Sequence, residues 1–154
     1  MRKMLVSALG LLTLATLATP ARAAPPDPTG FWSTGKDQAV VQVYACGAGN
    51  LCGALVGFPE DSPMAPLPQT WDHRSQCRFV FITGLRPRTR AWFGTIIDPQ
   101  NGHHFSAKIR LMSPDRLRLR GYFLMPLLGA TRFWARYGGA PPPADCRLPP
   151  HALG

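Results

Sequence analysis

The sequence predicts an all-β fold, a small antiparallel β-barrel of about eight strands. Three observations predict it. No segment between residues 30 and 137 sustains the apolar period of a helix. The same stretch divides into short β-branched, aromatic and alternating runs, separated by clusters of Gly, Pro, Asn and Asp. Two successive hairpins can be placed in register so that one apolar face runs through three strands. With no helix to cover it, such a face needs a second layer or closure on itself.

The chain opens on the basic start Met1-Arg2-Lys3-Met4, followed by an apolar stretch from Leu5 to Leu17, the helix breaker Pro20 and the small-residue site Ala21-Arg22-Ala23. This is the layout of a secretory signal spanning 1–23. Its apolar core is shorter than the roughly 20 residues of a membrane span. Cleavage after Ala23 predicts a periplasmic or secreted protein. It leaves 14 of the 17 Lys and Arg residues against all 8 acids, so the mature chain carries about six net positive charges. A basic exported protein meets anionic lipid or acidic glycan rather than nucleic acid. Residues 24–29 read as a proline-rich leader, 30–137 as the barrel domain and 138–154 as a Pro/Gly-rich surface tail.

Within the domain the predicted strands are Phe31–Thr34, Ala39–Ala45, Leu51–Phe58, Arg78–Gly84, Ala91–Ile97, His103–Met112, Arg116–Leu124 and Thr131–Tyr137. Pro59 to Gln76 is the one long loop, a place where function often sits. Asp98-Pro99-Gln100-Asn101-Gly102 is a strong turn: the Asp side chain accepts from the backbone, Pro presets φ and Gly102 tolerates φ > 0. With that loop, Ile96 faces Phe105 and Asp98 faces His103. A three-residue loop at Ser113-Pro114-Asp115 then sets Leu111 against Leu117, Ile109 against Leu119, Arg110 against Arg118 and Lys108 against Arg120. A two-residue loop would oppose Arg110 to Leu117 and mix the faces.

Cys46, Cys52, Cys77 and Cys146 form an even set in an oxidising compartment, which favours two disulfides. Three pairings are possible. The turn-rich segment Gly47–Leu51 could bring Cys46 and Cys52 together, leaving Cys77 with Cys146. No Cys-x-x-Cys pair or nearby His supports a metal site, and no cofactor is implied.

Gly30-Phe31-Trp32, Leu51-Cys52-Gly53, Trp92-Phe93-Gly94, Ile97-Asp98-Pro99 with Asn101-Gly102, Leu117-Arg118-Leu119-Arg120-Gly121 and Trp134-Ala135-Arg136 follow one another in an order and spacing that resemble the family catalogued as domain of unknown function 2147, small exported bacterial proteins. The resemblance covers Thr29 to Tyr137. It departs at Tyr122, where many members carry Cys, and over Thr70 to Arg78. It implies a lipocalin-like barrel in which Trp32 plugs one end and Arg136 packs across it. Gly30, Trp32, Asp98, Gly102, Trp134 and Arg136 are then structural positions.

Two surfaces are candidates for function. The inward row Trp92, Phe105, Ile109, Leu117 and Leu119 could line a pocket for a small hydrophobic or amphipathic ligand, or simply fill a core. Gly94, Ala107 and Gly121 share that face and either leave room or let bulky neighbours cross. Lys108, Arg110, Arg116, Arg118 and Arg120 line the opposite, outward face, with like charges directly opposed. An anionic envelope lipid or glycan would relieve them. Arg86, Arg88 and Arg90 form a second basic cluster, read as a loop. Asp98 beside His103 is the only hint of general-base chemistry, and no nucleophile can be set beside it. The prediction is a non-enzymatic exported protein binding a small apolar or amphipathic ligand. The alternative is an envelope interaction module using its basic face.

Overall fold

The computed structural model describes residues 23–35, 39–60 and 65–153. The predicted signal over 1–23 lies, but for Ala23, outside the described residues.

Every described element is a strand: β1 Gly30–Ser33, β2 Val40–Gly47, β3 Asn50–Pro59, β4 Val80–Arg88, β5 Ala91–Ile97, β6 His104–Ser113, β7 Arg116–Tyr122, β8 Gly129–Arg136 and β9 Arg147–Leu148. The first eight pair antiparallel with their chain neighbours, and β1 also pairs β8. The sheet therefore closes into an eight-stranded barrel with no free edge, the arrangement that removes the edge-strand problem.

The two hairpins close in the expected register. Ile96 pairs Phe105 and Trp92 pairs Ile109. Leu111 pairs Leu117, Ile109 pairs Leu119, Arg110 pairs Arg118 and Lys108 pairs Arg120. The β6–β7 turn differs in one detail. Ser113 pairs Arg116, so the turn has two residues, and an irregularity between Leu111 and Ser113 absorbs the extra residue. A bulge keeps the leucines inward where a two-residue turn on straight strands would have flipped them.

The boundaries of β4, β7 and β8 move in ways that bear on the surface. β4 continues to Arg88, so Arg86 and Arg88 belong to a strand and pair Phe93 and Ala91 rather than sitting on a loop. Gly84, at φ +60°, lies at the register shift that lets β4 resume after its first half. β7 ends at Tyr122 and β8 begins at Gly129, which leaves Phe123–Leu128 as a loop.

The tail is more than surface. β9 pairs β3 in parallel at Phe58 and Pro59, and Phe58 N–H donates to the Cys146 carbonyl at 2.8 Å. Cys146 and Leu148 are buried. The reason lies in β2 and β3, which are apolar on both faces: Val40, Ala54 and Val56 point away from the barrel core and need a cover, which Leu148 supplies. Gly57 makes room for it, because a Cβ there would stand 2.7 Å from Leu148 Cδ1. Arg147 pairs with Glu60 and donates to the Ala65 carbonyl at 2.9 Å, tying the tail to the long loop. Disulfides Cys46–Cys52 and Cys77–Cys146 complete the fastening.

Candidate functional site

The two ends of the barrel are built differently. At one end the leader crosses the opening. Trp32 is fully buried and its indole N–H donates to the Pro28 carbonyl at 2.9 Å. Trp92 donates in the same way to Pro26 at 3.0 Å. The Arg136 guanidinium lies 3.7 Å from the centre of the Trp32 ring, and it donates to the Thr29 and Pro114 carbonyls at 2.9 and 3.1 Å. Such a stacked, hydrogen-bonded cation is worth about 0.5–2 kcal/mol from the ring contact alone. Gly30, at φ +120°, is required here: a Cβ would meet Arg136 Nη1 at 2.5 Å. This end is sealed.

The opposite end carries the β1–β2, β3–β4, β5–β6 and β7–β8 connections, and it is hollow. A cavity of about 370 Å³ opens there, walled by Phe81, Ile96, Phe105, Leu119, Phe123 and Leu128, with Gly121, Gly129 and Ala130 between them. A second cavity of about 610 Å³ lies alongside, between Leu55, Phe58, Pro68, Gln76 and Trp134. The two share Phe81, Pro99 and Arg132. Both volumes fall in the range of small-molecule sites.

Part of the long loop folds over this mouth. Trp71 N–H donates to the Pro99 carbonyl at 3.0 Å, and its indole occupies the space a Cβ on Gly102 would need. Trp71 also meets Phe79 edge-on, with ring centroids 5.8 Å apart. The loop is held by Thr70, whose hydroxyl donates to the Asp72 carboxylate and accepts from Arg74 N–H at 3.2 Å. The Thr70 hydroxyl bond first, then the Arg74 guanidinium, hold the Asp72 carboxyl below its usual range.

Among the five residues expected to line a pocket, Phe105 and Leu119 line the cavity. Trp92, Ile109 and Leu117 do not. Ile109 and Leu117 are fully buried in the packed core, and Trp92 turns its indole to the leader at the sealed end. Inward parity is a property of a whole strand, whereas the cavity occupies only one end of it. The small inward residues divide in the same way. Gly121 leaves space, since a Cβ there would meet only Ile96 Cδ1, at 3.9 Å. Gly94 instead admits backbone, with the Thr83 carbonyl 2.4 Å from where a Cβ would stand. Ala107 is sealed in the core.

Asp98 is committed to its turn. Its two carboxylate oxygens accept from Gln100 N–H at 2.8 Å and Asn101 Nδ2 at 2.9 Å, and the link to His103 runs through backbone, Asp98 N–H to the His103 carbonyl at 2.8 Å. Gly102, at φ +73°, closes the turn. Among the described residues no three His, Cys, Asp or Glu side chains converge.

On the outer surface Lys108, Arg110, Arg118 and Arg120 surround a groove of about 360 Å³ with Phe93, Tyr122, Pro126 and Leu127. Arg116 stands apart, stacked on Phe133 at 4.5 Å.

Two features escape a reading by composition. Arg132 shares the inward parity of Trp134 and Arg136, and that parity was the signal available for placing it on the inner face. The run Phe123-Leu124-Met125-Pro126-Leu127-Leu128 carries no alternation and sits where a turn should be, which distinguishes it from strand.

The comparisons with known proteins agree with this architecture. A family model described as "Uncharacterized protein conserved in bacteria (DUF2147)" matches residues 30–136. No curated protein matches the chain. Among solved structures, the chain is similar to protein HP1028 from Helicobacter pylori, described as belonging to the lipocalin family, with a TM-score of 0.57 and 15% identity over 71% of this chain and 82% of that one. At that identity the likeness shows a common fold.

Proposed function

The chain belongs to the DUF2147 family, and on that premise we propose that it is an exported, lipocalin-like, non-enzymatic carrier of a small amphipathic anion. The carrying observation is the mouth cavity of about 370 Å³, apolar on most of its wall, with Arg132 on the wall it shares with the larger cavity. An apolar chain would lie against Phe81, Ile96, Phe105 and Leu119, each buried methylene contributing about 0.8 kcal/mol. The Arg132 guanidinium has no hydrogen-bond or carboxylate partner among the described residues, and it would meet a carboxylate or phosphate head bidentately at the solvent edge. Export is supported by the two disulfides, which belong to oxidising compartments, and by the signal layout of residues 1–23.

Calorimetric titration with dodecanoate and with dodecanol separates the two contributions. Dodecanoate is expected to saturate one site, and Arg132→Gln to weaken it on the order of tenfold, the size of one charge-assisted contact. Dodecanol should bind more weakly and ignore the substitution. Absence of saturable binding by either would overturn the reading.

A further inference from the structure

The loop Phe123–Leu128 is an apolar tip on the mouth rim. Leu124 is 81% and Leu127 87% exposed, and Phe123, Met125 and Leu128 are each at least half exposed. A single exposed leucine is ordinary, but five large apolar side chains in a six-residue connection form a patch that monomeric proteins rarely leave in water. The barrel does not need them for closure, because β7 and β8 already pair as far as Tyr122 and Gly129.

The tip is also built to leave water. Phe123, Met125 and Leu128 N–H groups donate within the loop, to Leu128, Phe123 and Met125 carbonyls at 3.0, 2.6 and 3.0 Å. Pro126 has no N–H, and its carbonyl accepts from Arg120 Nε at 2.9 Å. Three of the loop's five N–H groups are thus satisfied inside the segment, which lowers the cost of entry into a low-dielectric layer, while those of Leu124 and Leu127 have no partner among the described residues. Arg120 also donates to Thr131 Oγ1 at 2.8 Å, so the tip is pinned to the sheet rather than free to fold back.

Cations adjoin it. Lys108, Arg110, Arg118 and Arg120 share their groove with Pro126 and Leu127. Arg110 opposes Arg118 and Lys108 opposes Arg120 across the ladder. The ion pairs among the described residues are Arg74–Asp72 and Arg147–Glu60, so these four cations have no carboxylate partner there. An apolar point flanked by cations that lack carboxylate partners complements one surface in particular, a bilayer with anionic headgroups: acyl chains receive the point and phosphates receive the cations.

We propose that the protein docks on anionic lipid bilayers by inserting the Phe123–Leu128 loop, with Lys108, Arg110 and Arg118 seated on the headgroups while Arg120 holds the loop in place. Phe123 and Leu128 also wall the mouth cavity, so docking turns that mouth toward the lipid. The surface stands whether or not the cavity holds a ligand.

Cosedimentation with phosphatidylglycerol vesicles, phosphatidylcholine vesicles and a soluble acidic polysaccharide tests it. The full chain is compared with a chain starting at Ala24, which keeps the leader, all nine strands and both disulfides. Leu124→Asp with Leu127→Asp removes the point, and Arg110→Glu with Arg118→Glu removes two of the three headgroup cations. All four side chains lie outside the core, and coincident thermal melts establish that each variant is folded. Each cation near an anionic bilayer is worth roughly fivefold in partitioning, so loss of the two arginines alone is expected to cost about 25-fold on phosphatidylglycerol, and repulsion of the two new carboxylates adds to it. The leucine pair should lose on the order of 100-fold, with parental binding to phosphatidylcholine weak throughout. Parental binding by the leucine pair in the chain from Ala24 would overturn the proposal, leaving adsorption by charge alone. Polysaccharide binding as tight as lipid binding and indifferent to the loop would also overturn it, assigning the cations to a glycan.

Discussion

Replacing Trp32 tests whether the sealed end is a plug or a part of the binding site. Trp32→Ala removes a fully buried indole, its N–H bond to the Pro28 carbonyl and the ring beneath Arg136. Large-to-small substitution of a buried aromatic costs about 3–5 kcal/mol, and the lost hydrogen bond puts this site at the upper end, about 5 kcal/mol. That is a large share of the 5–15 kcal/mol that typically holds a domain together. Trp32→Phe keeps a ring but leaves the Pro28 carbonyl without its donor, for about 1–3 kcal/mol. In a double-mutant cycle with Arg136→Leu, the coupling between the two side chains should fall at about 0.5–2 kcal/mol. Urea unfolding followed by far-ultraviolet circular dichroism measures all of these, since the signal does not depend on the tryptophan removed. Dodecanoate affinity of Trp32→Phe should match the parent, because the cavity lies at the other end. A loss under about 1 kcal/mol for Trp32→Ala, or a large change in ligand affinity for Trp32→Phe, would refute the assignment of the two ends.

Gly121→Leu is expected to fill the cavity from its β7 wall, where the nearest obstacle is Ile96 Cδ1 at 3.9 Å; dodecanoate titration should show at least a tenfold loss of affinity, on the order of 1.4 kcal/mol, with the urea midpoint held. Cys77→Ser with Cys146→Ser opens a link of sequence separation 69, and chain entropy puts its loss at about 4 kcal/mol against about 2 for Cys46→Ser with Cys52→Ser, whose separation is 6; the two double variants are to be ranked by urea unfolding. Asp72 has a depressed carboxyl in the folded loop, so its contribution is fully present above the ordinary value of 3.8 and is lost as pH falls through the lower folded one. Trp71 emission should therefore change on acidification below that value, and Asp72→Asn should abolish the pH dependence of the change.

Much of this barrel was legible before any coordinates. Alternation and turn chemistry act over a few residues, so all eight main strands appear in order and the β5–β6–β7 pairings follow from where the leucines must point. The sealing pair Trp32 and Arg136 came through resemblance to a family pattern, since no local rule links residues so far apart in the chain. The candidate site was half legible. Phe105 and Leu119 share inward parity with Ile109 and Leu117, and parity says which face a residue takes but not how far along the barrel the packing stops.

The amino-acid sequence by itself determined the strand class, the hairpin registers, the even cysteine set and the split between a greasy inner face and a basic outer one. These depend on period, turn residues and composition, which are local. Tertiary structure alone decided which end is sealed, which residues border empty space, that Arg132 stands at the mouth, that Leu148 returns to cover β2 and β3, and that the Phe123–Leu128 tip lies beside the cations. Each of those depends on contacts between distant parts of the chain: closure of the sheet brings Thr29 to Arg136, and the returning tail brings Cys146 to Phe58. Contacts made at such chain separations leave no periodic trace in the residues that make them.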